Sequence, residues 1–249
     1  MDNEFLLQEK ETCQVSIILP TYNEKDNIVS LIETIHDELR NYNHEIIVVD
    51  DNSLDGTYQA VVGLNRHCVK AILRSEKPGL ANSIRCGLEN AKGSILVIMD
   101  SDFNHQPKYL PFMINALAHY ECVSGSRFIY GGKMHNELRH MLSWIFNIFV
   151  RLMTGGLITD NLYGFLAIKR KVIERCNYDD IFWGYGDYCI RLMYCLQKHK
   201  VRILQIPVVN GLRTKGEANT KFFKVFCQYF KEVIKLAYRI RIKYYDARN

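Results

Sequence analysis

The chain has 249 residues, of which 48% are hydrophobic and 24% are charged. This composition excludes an intrinsically disordered chain and predicts a folded protein with one sizeable core. Its eight cysteines include no Cys-x-x-Cys pair and no paired zinc spacing, which favours reduced, packed thiols in a cytosolic protein. The acidic first residues lack the apolar core of a signal peptide.

The net charge of +5 is unevenly distributed, because residues 213–249 carry ten Lys or Arg against three Asp or Glu. That basic tail suits nucleic acid, an anionic membrane or solvent equally well.

Short apolar runs alternate with amphipathic patterns through the first half of the chain. Strands are predicted at 15–19, 45–49, 69–73 and 94–99, and helices at 26–40 and from about 54, 80 and 107. This alternation predicts an α/β domain with a mostly parallel sheet flanked by helices. Ligands of such sheets lie beyond the carboxyl ends of the strands. The candidate site therefore comprises the loops at 21–25, 50–56 and 100–105.

The pattern becomes less regular beyond residue 125. Strands are predicted at 121–125, 161–168 and 201–206, and helices at 137–153, 187–199 and 221–243. No internal repeat, low-complexity linker or change of composition marks a second domain. A single domain is therefore predicted.

Two carboxylates follow the strand predicted at 94–99, in the sequence Asp100-Ser-Asp102-Phe-Asn104. They suit a hard divalent cation, because Mg²⁺ and Mn²⁺ take oxygen ligands and bridge to substrate phosphates. Taken alone, they also suit the cap of a helix that begins near Pro107, since Asp before such a helix is common. The adjacent His105 is interpreted as a surface or loop residue rather than a ligand.

Three loops together resemble the successive motifs of glycosyltransferase family 2. They read VSIILPTYNE at 15–24, VVDDNSLDGT at 48–57 and MDSD at 99–102. The likeness is greatest to the dolichyl-phosphate mannose synthases and related polyprenyl-phosphate glycosyltransferases. The resemblance implies a GT-A fold, with one Rossmann-like domain at 1–216 and a basic amphipathic helix at 217–249.

The resemblance assigns the first loops to a nucleotide-sugar donor. The implied donor-binding residues are Pro20, Tyr22, Glu24, Asp51, Asp100 and Arg213. The implied ligands of Mg²⁺ or Mn²⁺ are Asp100, Asp102 and Asn104, where Asn104 stands at a position that is often Gln in the family.

Other positions of the resemblance concern the acceptor. Arg127, Arg139 and Ser143 match residues that surround the acceptor phosphate in polyprenyl-phosphate enzymes, where guanidinium groups form forked hydrogen bonds. Asp160 matches a sugar-pocket residue, although Tyr163 follows where the family has Ser. Residues 218–219 are Ala-Asn where the family usually has Ser-Lys, which leaves the acceptor class open.

Two mechanisms follow from the two acceptor classes, and both imply inversion at the sugar. A polyprenyl phosphate is already anionic and needs no strong base, so the metal at Asp102 and the charge of Arg127 would carry the catalysis. A sugar or protein hydroxyl needs a carboxylate to accept its proton. Asp187 is the candidate for that base, and it suits a helix cap equally well.

The predicted final helix at 221–243 interleaves Phe with Lys. This pattern suits a helix at a membrane interface or one packed on the domain. No run of 18 to 20 uninterrupted apolar residues predicts a membrane span.

The leading hypothesis is transfer of mannose or glucose from a GDP- or UDP-sugar to a polyprenyl phosphate. The enzyme would be peripheral at the cytosolic face of a membrane, with a membrane-anchoring protein partner allowed and no nucleic acid. A non-catalytic module that binds nucleotide or nucleic acid is the third hypothesis.

Overall fold

The protein is described by a computed structural model that covers residues 14–211 and 222–246. Its strands are β1 (Val15–Thr21), β2 (His44–Asp50), β3 (Val69–Leu73), β4 (Ile95–Ile98), β5 (Cys122–Ser126), β6 (Leu166–Lys169) and β7 (Ile203–Pro207). Its helices are α1 (Lys25–Glu38), α2 (Thr57–Val62), α3 (Leu80–Asn90), α4 (Leu110–Ala116), α5 (Glu137–Thr154), α6 (Arg170–Ile173), α7 (Tyr188–Lys198) and α8 (Phe222–Asp246). Short 3-10 turns lie at Pro107–Tyr109 and Tyr178–Asp180.

The described strands form one sheet in the order β3-β2-β1-β4-β6-β5-β7. Strand β1 pairs in parallel with β2 on one side and β4 on the other, and all seven of its residues are buried. A parallel strand covered on both faces has no solvent side, so its residues are mostly apolar and do not alternate with exposed polar ones. Its two polar residues, Ser16 and Thr21, are buried as well. The predicted α/β class and mostly parallel sheet are confirmed.

Helices cover the two faces of the sheet. Helix α1 buries Ile28, Leu31, Ile32 and Ile35, a spacing that gathers four side chains on one helical face. Helix α3 packs on the other face. There Gly87 comes so close to Ile18 that an added Cβ would lie 2.4 Å from Ile18 Cγ2.

Strand β6 runs against the rest of the sheet, because it pairs antiparallel with both β4 and β5. It is also shorter than the strand predicted at 161–168, and that prediction was wrong for the first five residues. Gly164 has a φ of 75°, a left-handed conformation that interrupts a strand. Residues 160–163 instead form a loop, from which Leu162 and Tyr163 line the candidate site.

The switch point of the sheet lies at β1. The chain leaves β1 towards β2 and β3, and later returns to the opposite side of β1 as β4. A crevice forms beyond the carboxyl ends of strands where the order reverses in this way. The fold therefore brings the loops after β1, β2 and β4 together.

Helices α5 and α8 pack against each other beside that crevice. The rings of Phe149 and Phe230 stack with centroids 4.8 Å apart, and those of Phe146 and Phe226 lie 5.2 Å apart. Val233 is fully buried in this contact. Within the described ranges, no helix has the length and apolar character needed to cross a membrane.

Candidate active site

A cavity of about 830 Å³ opens at the carboxyl end of the sheet. Its volume is within the range of small-molecule sites. Its lining includes ten of the predicted site residues, which are Pro20, Tyr22, Glu24, Asp51, Asp100, Asp102, Asn104, Arg127, Arg139 and Ser143. Asp160 and Asp187 are buried outside that lining, with 1% and 0% of their surface exposed.

The loop after β1 is tied to the loop after β2. The backbone N–H of Glu24 donates to Thr57 Oγ1 at 2.9 Å, and that of Asn23 donates to Ser53 Oγ at 2.8 Å. The carboxylate of Glu24 is mostly buried and accepts a hydrogen bond from Asn27 Nδ2 at 2.8 Å. The two loops therefore form one connected wall of the cavity.

Asp51 connects that wall to the segment before α3. Its carboxylate forms a buried ion pair with Arg74 and accepts a hydrogen bond from the backbone N–H of Gly79 at 2.8 Å. Arg74 also donates to Ser83 Oγ at 2.9 Å. The sequence did not predict this pair, because Asp51 and Arg74 lie 23 positions apart in the chain and only the sheet brings them together.

The acidic loop after β4 is held by its own asparagine. Asp102 accepts hydrogen bonds from Asn104, at 3.1 Å from the backbone N–H and 2.6 Å from Nδ2. Asn104 Oδ1 in turn accepts a hydrogen bond from Asn210 Nδ2 at 3.0 Å. Asn104 thus orients Asp102. Its oxygen keeps a second lone pair, so Asn104 remains a predicted third ligand.

The two carboxylates fit a hard divalent cation. The side chain of Asp100 is 43% exposed towards the cavity, whereas Asp102 is mostly buried. Carboxylate oxygens that line a wet cavity are the donors that Mg²⁺ and Mn²⁺ take, and both ions keep further positions for water and phosphate. Asp100 and Asp102 are therefore the residues here that would hold such an ion.

His105 lies in a loop, as the sequence suggested, but not at the surface. It is almost completely buried, between the ring of Tyr163 at 4.3 Å and the parallel ring of Phe165 at 5.0 Å. Its Nδ1 accepts a hydrogen bond from the backbone N–H of Asp100 at 2.8 Å. Burial lowers the pKa of His105 to about 4, so the ring is neutral near pH 7. His105 thus supports the start of the acidic loop.

Arg127 enters the cavity from the end of β5 and is held there by Asp160. Its Nε donates to Asp160 Oδ2 at 2.7 Å and its Nη2 donates to Oδ1 at 2.9 Å. Burial alone would lower the pKa of Arg127, but the charge and hydrogen bonds of Asp160 outweigh it and raise the pKa. The guanidinium therefore stays charged, and Asp160 supports it from behind.

Helices α5 and α8 form the opposite wall. Arg139 and Ser143 line the cavity from α5, beside the apolar side chains of Leu142 and Phe226. Tyr229 of α8 lies against Gly186, where an added Cβ would be 2.1 Å from its hydroxyl. This wall is cationic towards the cavity and apolar towards the outside.

Asp187 does not face the cavity. Its carboxylate is fully buried, ion-paired with Arg191, and accepts a hydrogen bond from the backbone N–H of Tyr185 at 3.0 Å. Arg191 is fixed in turn by the backbone carbonyl of Ile181 at 2.9 Å. Asp187 thus precedes α7 as one half of a buried ion pair. The predicted donor-binding residue Arg213, and positions 215–219, lie outside the described residues.

Comparison with known proteins gives the class first. The fold is that of the GT-A glycosyltransferases: glucosyl-3-phosphoglycerate synthase from Mycobacterium tuberculosis, solved with Mn²⁺, uridine diphosphate and phosphoglyceric acid, superposes with a TM-score of 0.68. That match covers 93% of this chain and 79% of the other at 18% sequence identity. The same synthase has also been solved with Mg²⁺ and uridine diphosphate.

The sequence comparisons then give the family. The sequence model described as Glycosyl transferase family 2 matches residues 16–176. The chain belongs to glycosyltransferase family 2 and is a glycosyltransferase. The family and the fold expected from the sequence are confirmed.

Three curated relatives illustrate which members the chain resembles. It is 32% identical to the dolichol-phosphate mannosyltransferase of Pyrococcus furiosus, over 90% of this chain and 63% of that protein. It is 30% identical to the enzyme of the same name from Saccharomyces cerevisiae, over 90% of this chain and 86% of that protein. It is 31% identical to the undecaprenyl-phosphate mannosyltransferase of Micrococcus luteus, over 82% of this chain and 86% of that protein. The chain thus spans less than two thirds of the archaeal relative.

Proposed function

We propose that this chain transfers a hexose, mannose or glucose, from a GDP- or UDP-sugar to a polyprenyl phosphate. The observation that carries the proposal is that one cavity is lined by both kinds of charge. Its carboxylates, Asp100 and Asp102, suit a metal-bound diphosphate. Its guanidinium groups, those of Arg127 and Arg139, lie with the apolar side chains of Leu142 and Phe226 in the same lining, which suits a phosphate attached to a hydrocarbon chain. The names of the curated relatives support the same reaction.

The carboxylates of the cavity are placed to stabilise a leaving nucleoside diphosphate. A bound Mg²⁺ or Mn²⁺ supplies a Lewis acid that neutralises charge on the departing diphosphate. Asp100 and Asp102 would hold the ion, and Asn104 keeps Asp102 in a fixed orientation. Because Asp102 is fixed before substrate arrives, it needs little reorganisation during the reaction.

The guanidinium groups of the cavity are placed to receive an anionic acceptor. A phosphate monoester oxygen carries negative charge near neutral pH, so it attacks the anomeric carbon without losing a proton to the protein. The new carbon–oxygen bond forms as the bond to the diphosphate breaks on the opposite side, which inverts the configuration. Arg127 and Arg139 orient the attacking phosphate. The burial and pairing of Asp187 disfavour the alternative of a hydroxyl acceptor, because that acceptor needs a free carboxylate base.

Membrane contact is part of the proposal. The outer face of α5 exposes Leu138, Met141, Trp144, Ile145 and Leu152, and α8 adds Phe230, Ile234 and Tyr238. Exposed apolar surface of this extent is uncommon on a protein that meets only water. It adjoins the cavity mouth, so a lipid phosphate held there keeps its tail in the bilayer. We propose that the enzyme is peripheral at the cytosolic face, with the catalytic domain at 1–216 and the interfacial helix at 217–249.

A transfer assay tests the reaction. Labelled GDP-mannose, GDP-glucose, UDP-mannose and UDP-glucose are each supplied with polyprenyl phosphate in detergent, with Mn²⁺ or with EDTA. We expect a metal-dependent product that extracts into organic solvent and is labile to mild acid. Asp102→Asn should abolish it, whereas Asp37→Asn, at an exposed acid of α1, should not. Product that stays in the aqueous phase as oligosaccharide would exclude the lipid acceptor.

Vesicle sedimentation tests the surface. Ile145→Glu should weaken binding to anionic vesicles at least tenfold, because a charge is costly to bury among lipid chains. Val62→Glu is the matched control, since Val62 is equally exposed (52% against 50%) but lies on α2. Equal binding by both variants would remove α5 from the membrane contact.

A further inference from the structure

A second cluster of candidate metal ligands lies at the opposite end of the sheet from the cavity. It comprises His36 in the last turn of α1, His44 at the start of β2 and Cys68 just before β3. The active-site loop follows the other end of β2, so the six-residue rise of that strand separates the two places by roughly 20 Å. The sugar-transfer chemistry gives this cluster no role.

The three side chains converge on one point. Their ligand atoms, one nitrogen from each imidazole and the thiol sulfur, all lie within 4.8 Å of one another. His36 Nδ1 and His44 Nε2 are 3.3 Å apart. Two nitrogens bound to one tetrahedral zinc at its usual bond length are separated by about 3.3 Å. The nitrogen pair therefore already has the spacing that such an ion needs.

The orientation of His44 suits a ligand. Its Nδ1–H donates to the backbone carbonyl of Tyr42 at 2.9 Å, which leaves the lone pair of Nε2 directed at the cluster. A backbone carbonyl on the outer ring nitrogen is the usual support of a metal-bound histidine.

We propose that His36 Nδ1, His44 Nε2 and Cys68 Sγ bind one Zn²⁺ ion, with water at the fourth position. Two imidazoles and a thiolate are the ligands of a borderline transition metal, whereas Asp100 and Asp102 offer only oxygen. The protein thus sorts two kinds of ion between two sites. On binding, the His36 proton moves from Nδ1 to Nε2, and the Cys68 thiol releases its proton to solvent as the zinc–sulfur bond forms.

The ion would join three elements that meet at this edge. The end of α1 is linked here to β2 and β3, whose pairing begins with the backbone N–H of Ile46 donating to the Cys68 carbonyl at 2.7 Å. A bound ion stabilises the folded state over the unfolded one by mass action. We expect the site to reinforce the edge of the sheet and to leave the sugar-transfer reaction unchanged.

Equilibrium dialysis of the metal-stripped chain against micromolar Zn²⁺ tests the site, with excess Mg²⁺ present to occupy the oxygen site. The bound metal is counted by mass spectrometry for the wild type, His36→Gln and Cys68→Ser. Both positions are only half-buried, and circular dichroism checks that the variants fold. Each variant should lose one equivalent of zinc and at least tenfold in affinity. Each should also lose the rise in thermal midpoint that Zn²⁺ gives the wild type.

Cys195→Ser is the matched control. Cys195 belongs to another cluster with Cys176 and His199, whose ligand atoms also lie within 4.8 Å of one another. The control should keep the equivalent of zinc that His36→Gln and Cys68→Ser lose. If those two variants bind as much zinc as the wild type, the cluster is only a hydrogen-bonded histidine pair beside a thiol, and the proposal is wrong. The assay is independent of sugar transfer, so the proposed function stands or falls separately.

Discussion

Arg127 and Asp160 form a two-pronged buried ion pair that links the end of β5 to the loop before β6. The resemblance to the family assigned one residue to the acceptor phosphate and the other to the sugar pocket. The structure joins them into one unit, in which the Asp160 side chain has no exposed surface. The orientation of the acceptor-side guanidinium is therefore set by a carboxylate that does not line the cavity.

Removing the charge of Asp160 should damage both folding and activity. Asp160→Asn leaves Arg127 buried without its counter-charge, and we expect the free energy of unfolding to fall by about 3–5 kcal/mol. Chemical denaturation measures this. The double variant Arg127→Met with Asp160→Asn should recover much of the stability but no transfer activity. Stability of the single variant within about 1 kcal/mol of the wild type would contradict the buried pair.

Asp187 should behave as a structural residue. Asp187→Asn leaves Arg191 unpaired in the interior, and we expect a loss of about 3–5 kcal/mol in the free energy of unfolding. Asp179→Asn is the control, because it breaks an exposed pair with Arg85 and should cost at most about 1 kcal/mol. A fully stable Asp187→Asn variant that has lost transfer activity would instead support a catalytic base.

His105 should make the fold sensitive to acid. Its pKa is about 4 in the folded protein, whereas an unperturbed histidine, as in the unfolded chain, has a pKa of 6.5. Between these values only the unfolded chain takes up the proton, so the stabilising contribution is complete above pH 6.5 and is lost as the pH falls towards 4. We expect the stability difference between the wild type and His105→Gln to shrink by roughly 3 kcal/mol across this range. Denaturation curves at several pH values measure it, and a constant difference would contradict the assignment.

Two glycines should respond differently to replacement by alanine. Gly87→Ala forces a methyl group against Ile18, and overpacking of this kind costs about 1–3 kcal/mol. Gly155 ends α5 at a φ of 69° with no atom near the added methyl, so Gly155→Ala should cost only about 1 kcal/mol, through backbone strain. Gly155→Asn should cost less still, because Asn tolerates this conformation. Thermal denaturation ranks the three variants.

Local pattern was sufficient for most of the fold. The strand at Val69–Leu73 has the predicted bounds, and β1, β2 and α5 differ from prediction by only a few residues at their ends. The spacing of apolar residues and the alternation of strands with helices depend on neighbouring residues, so the sequence is enough to predict them. The start of β6 could not be predicted in this way. Gly164 ends the strand pattern through its backbone conformation, and residues 160–163 are held by partners that are distant in the chain.

The candidate site divides in the same way. Sequence motifs identified the loops of the acidic site, and the structure brings ten of the proposed residues to one cavity. The motifs did not reveal that His105 contacts the backbone of Asp100, or that Arg74 pairs with Asp51. Each of these depends on burial and on a partner from another part of the fold.

The sequence by itself determined the family, the alternating α/β architecture and the acidic loop after β4, because these depend on contiguous residues and their period. Only the tertiary structure decided that Asp187 is paired in the interior, that Asp160 supports Arg127, and that His36, His44 and Cys68 meet. The physical reason is that burial, charge pairing and ligand geometry depend on distance in space, which the fold sets between residues far apart in the chain.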